Sequence, residues 1–269
     1  MRGSSHQAVL VFDSGLGGLT VLREVALLRP DLRLVYAADD AAFPYGEWAD
    51  AALIERVVGV IGQLIGRIEP RLVVIACNTA STLALPALRA KFSIPFVGTV
   101  PAIKPACERS ASQRVSVLAT PGTVKRDYTQ GLIREFAAGC NVTLVGSDKL
   151  ASLAEAAVQG EPVEDEAIKA EILPCFVDDG RRTDTVVLAC THYPLILERL
   201  VKVAPWPVNW VDPAAAIARR ASSLIAEKGE PAGQPSAAYF TAGKTPSPTL
   251  VRLLGRFNAV AGEALKLPV

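Results

Sequence analysis

The chain has 269 residues, half of them hydrophobic and only 6% aromatic, with a formal charge of +1. That length exceeds one average domain, and a core of Ala, Val, Leu and Ile should bury about three quarters of the surface the unfolded chain exposes. The balanced charge lacks the basic footprint of a nucleic-acid binder. No apolar run is long enough for a bilayer span and no signal peptide opens the chain, so a cytoplasmic protein without a membrane partner is expected.

After a polar lead-in, Met1 to Gln7, short apolar runs alternate with amphipathic stretches. Val9–Phe12 reads as a buried strand, Leu19–Leu28 as a helix and Leu34–Ala37 as a strand. Ala51–Ile68 reads as a helix, and Leu72–Ala76 and Pro95–Gly98 as strands. Further on, Val115–Ala119, Val142–Val145, Val186–Ala189 and Val208–Val211 read as strands, with helical patterns at Tyr128–Ala137 and Leu195–Val203. Alternation of this kind implies an α/β fold with mainly parallel sheets flanked by helices.

Two of these strands repeat a pattern. Val73-Val74-Ile75-Ala76-Cys77 runs into Asn78-Thr79, and Val186-Val187-Leu188-Ala189-Cys190 runs into Thr191-His192, 113 residues later. A fainter echo links Val9–Phe12, leading to Asp13-Ser14-Gly15, with Val115–Leu118, leading to Ala119-Thr120-Pro121-Gly122. All four polar clusters stand at the carboxyl ends of predicted strands, where parallel α/β sheets bind ligands. The competing account is coincidence, because Val-Val-x-Ala-Cys arises easily in a Val- and Ala-rich chain. Five cysteines, an odd number without a CxxC pair, argue against a disulfide framework or a zinc site. Cys107, Cys140 and Cys175 read as small buried hydrophobes.

A thiol can act as either acid or base near neutral pH, so two thiols on opposite faces of a carbon acid can invert it. Such a pair needs neighbours that manage protons. Asp13 ends the first strand and is a candidate on the Cys77 side, with a helix N-cap as its ordinary alternative. His192 lies two residues after Cys190, and the remaining histidine, His6, is in the lead-in. Glu155, on a predicted helix, is a candidate to orient His192; a solvated helix position is the alternative. Asn78, Thr79 and Thr191 sit where strands run into helices, whose N-termini favour anions. Ser14 and Gly15-Leu16-Gly17-Gly18 have the same character, and Pro44-Tyr45-Gly46 reads as a turn able to reach a ligand. Ala242-Gly243-Lys244-Thr245 resembles the end of a phosphate loop, but Ala238 stands where the first glycine belongs and Pro246 follows, which rejects it.

Taken together, these motifs resemble the glutamate racemases, within the aspartate/glutamate racemase superfamily, over nearly the whole chain. The family's Asp-Ser-Gly-x-Gly-Gly opening is Asp13 to Gly18, and its Pro-Tyr-Gly turn is Pro44 to Gly46. Cys-Asn-Thr-Ala is Cys77 to Ala80, Ala-Thr-x-Gly-Thr-Val is Ala119 to Val124, and Cys-Thr-His-Tyr-Pro is Cys190 to Pro194. The resemblance implies two pseudo-symmetric α/β domains with the active site in the cleft between them. The first takes residues 1–100 and 210–269, and the second, inserted, takes 101–209. Cys77 and Cys190 would be the proton donor and acceptor, assisted by Asp13, His192 and Glu155. Asp13, Ser14, Pro44, Tyr45, Gly46, Asn78, Thr79, Thr120, Thr123, Thr191 and His192 would bind the substrate, glutamate. Leu150 to Ala154, just before Glu155, departs from the family's usual Leu-Val-Pro-Leu-Val. No cofactor and no metal is implied, a homodimer is allowed, and the family role is supplying D-glutamate for peptidoglycan.

Three rivals stay open at this stage. A sister racemase would act on aspartate or a hydantoin, and assaying both amino acids separates it. A thiol hydrolase would use Cys190 as nucleophile and His192 as base, leaving Cys77 unexplained. A two-lobed amino-acid receptor would bind without exchanging the α-proton.

Overall fold

The computed structural model describes residues 8–225, 229 and 235–262, so His6 and residues 263–269 lie outside it. The chain divides into two compact units, Met1–Thr99 with Ala214–Val269, and Val100–Pro213. The first unit begins with β1 (Val9–Asp13), α1 (Leu19–Leu28), β2 (Leu34–Ala38) and α2 (Asp50–Ile68), then β3 (Leu72–Ile75), α3 (Asn78–Lys91) and β4 (Phe96–Gly98). The second holds α4 (Ile103–Arg109), β5 (Arg114–Ala119), α5 (Pro121–Val124), α6 (Asp127–Phe136) and β6 (Asn141–Gly146). It continues with α7 (Leu150–Gln159), α8 (Asp165–Ile172), β7 (Thr185–Ala189), α9 (Leu197–Val203) and β8 (Asn209–Val211). The chain then returns to the first unit with α10 (Ala214–Ser223), β9 (Ser236–Phe240), α11 (Pro248–Arg256) and β10 (Ala259–Ala261).

Each unit is built on a parallel sheet. The first has the order β10-β9-β2-β1-β3-β4 and the second β6-β5-β7-β8. Without β9 and β10 the two orders are the same, each sheet's first strand lying between its second and third. The central strands are buried on both faces, as parallel sheets covered by helices require, and therefore read as continuous apolar runs.

In the first unit Leu10, Phe12, Val73 and Ile75 share a core with Leu53, Val57, Ile61 and Leu64, the inward stripe of α2. Trimming one of these leucines to alanine should cost about 2–5 kcal/mol. Val115, Val117, Val187 and Ala189 play the same part in the second unit, packed against Ile103 and Ala106 of α4. Arg29, 1% exposed, ties the end of α1 to the segment after α10: it grips Asp31 with two bonds of 2.8 and 2.7 Å and donates to the Ile225 carbonyl at 2.7 Å.

Two expectations are corrected here. Only Cys175 of the three spare cysteines is fully buried; Cys107 and Cys140 are half-buried, with the Cys140 thiol 3.7 Å from the Cys107 carbonyl. Their positions, late in the short helix α4 and in the turn before β6, leave one side of each uncovered. The helix predicted from Leu195 begins at Leu197, because Tyr193–Ile196, with Pro194 inside it, forms a tighter 3-10 turn first. Among the described residues no helix is long and apolar enough to cross a membrane.

Candidate active site

The carboxyl ends of β1, β2 and β3 gather a cluster of buried polar residues around Cys77. Cys77 follows β3 and is the N-cap residue of the 14-residue helix α3, so it stands at a helix start, the end of a helix that favours anions. Asn78 and Thr79 open that helix and are 3% and 4% exposed. Both polar atoms of the Asn78 side chain are buried with no hydrogen-bond partner. A buried primary amide without partners costs free energy, and a polar ligand that meets both its donor and its acceptor would recover it.

Asp13 is fully buried at the end of β1, and its Oδ2 accepts the Gly18 amide at 2.9 Å. Gly18 is the N-cap residue of α1, so Asp13 does hold a helix start, but from five residues back and through a loop. That loop, from Ser14 to Gly18, is close-packed: a Cβ on Gly18 would lie 2.7 Å from the Asp13 Cβ and 3.1 Å from the Tyr36 ring. The Tyr36 hydroxyl fastens it by donating to the Gly15 carbonyl. Ser14 is buried beside it.

Pro44-Tyr45-Gly46 forms a turn, with Tyr45 opening a short 3-10 segment. The Tyr45 ring is buried and its hydroxyl donates to Asp39 Oδ2 at 2.6 Å. Burial, followed by the neighbouring Asp39 and Cys77, pushes that hydroxyl well above its ordinary 10.0, so it stays a donor. Asp39 itself is 0% exposed. Burial would raise its pKa, but hydrogen bonds from Arg56, Thr241 and Tyr45 outweigh that and hold the carboxylate charged.

A second cluster surrounds Cys190 at the ends of β5 and β7. The strand ends at Ala189, and Cys190-Thr191-His192 turns immediately, with the Tyr193 amide donating to the Cys190 carbonyl at 3.2 Å. His192 is 1% exposed. Its Nε2 is 2.9 Å from Glu155 Oε2 on α7, and its Nδ1 is 3.9 Å from the Cys190 sulfur. Glu155 is steadied by Gln159, which donates to Oε1 at 3.1 Å. Burial alone would lower the imidazole's pKa. The hydrogen bonds to Cys190 and Glu155 win, and the pKa rises well above 6.5. The line Glu155–His192–Cys190 therefore joins a carboxyl group, an imidazole whose protonated form these hydrogen bonds favour, and a sulfur 3.9 Å from its ring. Thr191 is buried with its hydroxyl 3.5 Å from His192 Nδ1.

Thr120 follows β5 as the N-cap of α5; its hydroxyl is 3.1 Å from that of Thr123, which is fully buried. In sum, Asp13, Ser14, Pro44, Tyr45, Gly46, Cys77, Asn78 and Thr79 lie in the first unit. Thr120, Thr123, Glu155, Cys190, Thr191 and His192 lie in the second. The sequence reading did not single out Asp39 or Arg56, and it marked Thr241 only within Phe240-Thr241-Ala242-Gly243, which resembles the family's C-terminal Thr-Gly segment. The one signal for Asp39 was its place just after a predicted strand.

With this geometry in hand, known proteins supply a context. Residues 29–221 match the family model described as Asp/Glu/Hydantoin racemase. A glutamate racemase of Mesorhizobium japonicum is 58% identical over 245 residues, 90% of this chain and 94% of the relative. One from Brucella canis is 55% identical over 258 residues, 94% of this chain and 93% of the relative. Among solved structures, the Escherichia coli glutamate racemase, in complex with L-glutamate and the activator UDP-MurNAc-ala, is 44% identical. It superposes with a TM-score of 0.89 over 98% of this chain and 100% of that one. A Bacillus anthracis glutamate racemase isoform is 25% identical with a TM-score of 0.80, over 98% of this chain and 99% of that one.

Proposed function

The chain belongs to the Asp/Glu/hydantoin racemase family, with the glutamate racemases, and on that premise we propose that it interconverts L- and D-glutamate through two cysteines and without a cofactor. The observation that carries the mechanism is the duplicated thiol. Cys77 and Cys190 each follow the third strand of a sheet with the same strand order, and each has a buried proton-handling group beside it or on the neighbouring strand.

In the proposed cycle one cysteine, as thiolate, takes the α-proton, and the electron pair is left on the α-carbon. The other cysteine, as thiol, delivers a proton to the opposite face. By family resemblance Cys77 serves D-glutamate and Cys190 serves L-glutamate. His192, oriented by Glu155, supplies a proton to the Cys190 thiolate when the imidazole is charged and takes one from the Cys190 thiol when it is neutral. Asp13 has the corresponding task beside Cys77. The Asn78 amide, with both its donor and its acceptor unspent, is suited to a carboxylate or ammonium group of the amino acid. Thr79, Thr191 and the amides of Ser14 and Gly46 complete the ligand set. Thr120 and Thr123 supply hydroxyls on the second unit's side.

We further propose that the D-glutamate feeds peptidoglycan synthesis in the cytoplasm. The Escherichia coli relative supports this, because the activator in its complex carries muramic acid, a peptidoglycan sugar. Circular dichroism of L-glutamate incubated with the purified protein, after dialysis against a chelator and with nothing added, tests the reading. Decay of the signal to zero is expected. A signal that persists until pyridoxal phosphate or a metal is restored would sink the thiol mechanism.

A further inference from the structure

The last strands of the chain return to the first sheet and end against the turn that carries Tyr45. Strand β9 pairs in parallel with β2, with Phe240 opposite Ala38, so the next residues, Thr241 and Asp39, emerge side by side. The Thr241 amide donates to the Ala38 carbonyl at 3.1 Å, which fixes that emergence. The Thr241 hydroxyl then donates to Asp39 Oδ1 at 2.6 Å and accepts the Ala41 amide at 3.1 Å. Asp39 is the hub. Each of its oxygens takes two donors: Oδ1 from Thr241 and from Arg56 Nη2 at 2.7 Å, Oδ2 from Tyr45 at 2.6 Å and from Arg56 Nε at 3.0 Å. Asp40 adds a second tie, accepting the Ala242 amide at 2.8 Å.

We propose that Thr241 is a positioning residue for glutamate binding, acting through Asp39 to hold the Tyr45-Gly46 turn in the shape that meets the substrate. The physical case is geometric. A buried carboxylate with two donors per oxygen has one arrangement that satisfies it, and losing a donor frees it to rotate or to draw in water. The Tyr45 hydroxyl moves with Oδ2, and Gly46 follows Tyr45 in the chain. The Thr241 hydroxyl bonds to Asp39, Asp40 and the Ala41 amide, so its loss acts on the turn, and through it on binding, rather than on proton transfer. The inference rests on the reading that the Tyr45-Gly46 turn contacts glutamate.

The test compares Thr241→Val, which keeps the shape and loses the hydroxyl, with Thr241→Ser, which keeps the hydroxyl. Thr241→Val should raise KM about tenfold in both directions while kcat stays within about threefold, the pattern of lost uniform binding. Thr241→Ser should return KM to within about twofold of the parent. If Thr241→Val does not fold, Arg56→Gln, on the half-exposed side of the hub, takes its place with the same expected direction. An unchanged KM in a folded variant, or a fall in kcat alone, overturns the proposal. Hydrogen exchange of the 41–48 peptide with and without glutamate separates the two readings. If glutamate fails to slow its exchange in the parent enzyme, the turn is not a substrate contact and the underlying reading fails. If glutamate slows it equally in parent and Thr241→Val, and KM is unchanged, only the role of Thr241 fails.

Discussion

The two thiol clusters share a backbone plan and differ in where the groups proposed to handle protons come from. Sheet register makes the correspondence explicit. Phe12 pairs with Ile75 in the first unit and Leu118 with Leu188 in the second, so Asp13 occupies the place that Ala119 holds beside the other thiol strand. One strand over, the Asp39 amide donates to the Asp13 carbonyl at 2.9 Å, and the Ser147 amide donates to the Ala119 carbonyl at 2.8 Å. Counting from the cysteines, Thr79 matches His192. The first unit thus places carboxylates at the ends of β1 and β2, while the second has alanine and serine there and puts a histidine after the cysteine, backed by Glu155 from a helix. A duplicated scaffold preserved the position of the thiol and left the chemistry around it free to diverge. A carboxylate and an imidazolium favour different protonation states of a neighbouring sulfur, and the proposed two-cysteine inversion needs one thiolate and one thiol at rest.

The hardest blow to that comparison is to remove a thiol. Cys77→Ala and Cys190→Ala should each abolish racemisation, since inversion needs a group on each face. In heavy water each variant should still exchange the α-proton slowly with retention, Cys77→Ala on L-glutamate and Cys190→Ala on D-glutamate. Proton NMR of the α-position with each pure enantiomer reads this out. Racemisation at near the parent rate in either variant would reduce the repeated strand to a packing feature.

Removing the neighbours should cost less. His192→Ala and Asp13→Ala should each slow turnover by about 10²–10⁴-fold, the usual worth of general acid–base assistance, with folding retained. The deficits should differ between the L-to-D and D-to-L directions and in opposite senses for the two variants. The equilibrium constant is fixed, so any asymmetry in kcat must be matched in KM. Identical deficits in both directions would show that the two groups are not assigned one to each face.

A smaller effect should follow from the ligand side of the comparison. Asn78 has two unpaired amide atoms, whereas the residue matching it after Cys190 is Thr191, whose hydroxyl lies 3.5 Å from His192. Asn78→Ala should therefore raise KM about tenfold, as lost hydrogen bonds to a charged ligand do, and leave the exchange chemistry intact. Thr191→Val should act more on kcat, through His192. If the two variants showed the same split between kcat and KM, that division of labour would fail.

Much of this plan could be read from the residues, for a physical reason. Parallel strands buried on both faces must be written in apolar residues, so β1, β2, β3, β5 and β7 announce themselves, and the thiols that follow β3 and β7 come with them. What stayed hidden depends on distant pairing. Strand β9, Ser-Ala-Ala-Tyr-Phe, is too poor in branched residues to stand out, and β10 is three residues at a sheet edge. Asp39 in Ala-Asp-Asp-Ala looks like a turn carboxylate until Thr241, about 200 positions away, is brought beside it. His192 and Glu155, 37 positions apart, could be named as a candidate pair from their residue types, but no local pattern chose that pairing over a solvated position for Glu155.

The subtlest expected difference between the two clusters is the sign of their pH dependence. Asp39 has its pKa held below the ordinary 3.8 in the folded state. Its contribution to stability is therefore present above that value and lost as pH falls through the lowered one. His192 has its pKa raised well above 6.5. Its contribution is complete below 6.5 and is lost as pH rises through the raised value. Thermal melts of Asp39→Asn and His192→Gln against the parent, from pH 3 to pH 9, should show opposite trends. The gap for Asp39→Asn should narrow toward acid, and the gap for His192→Gln should narrow toward alkali. Each gap should be a few degrees at its widest, because about 1 kcal/mol moves the midpoint of a chain this size by roughly 2–4 °C. A His192→Gln gap that widens as pH rises would mean that the folded protein holds the imidazole neutral. Glu155 and Cys190 would then not be stabilising its proton, and the contrast between a carboxylate-served and an imidazolium-served thiol would fall with it.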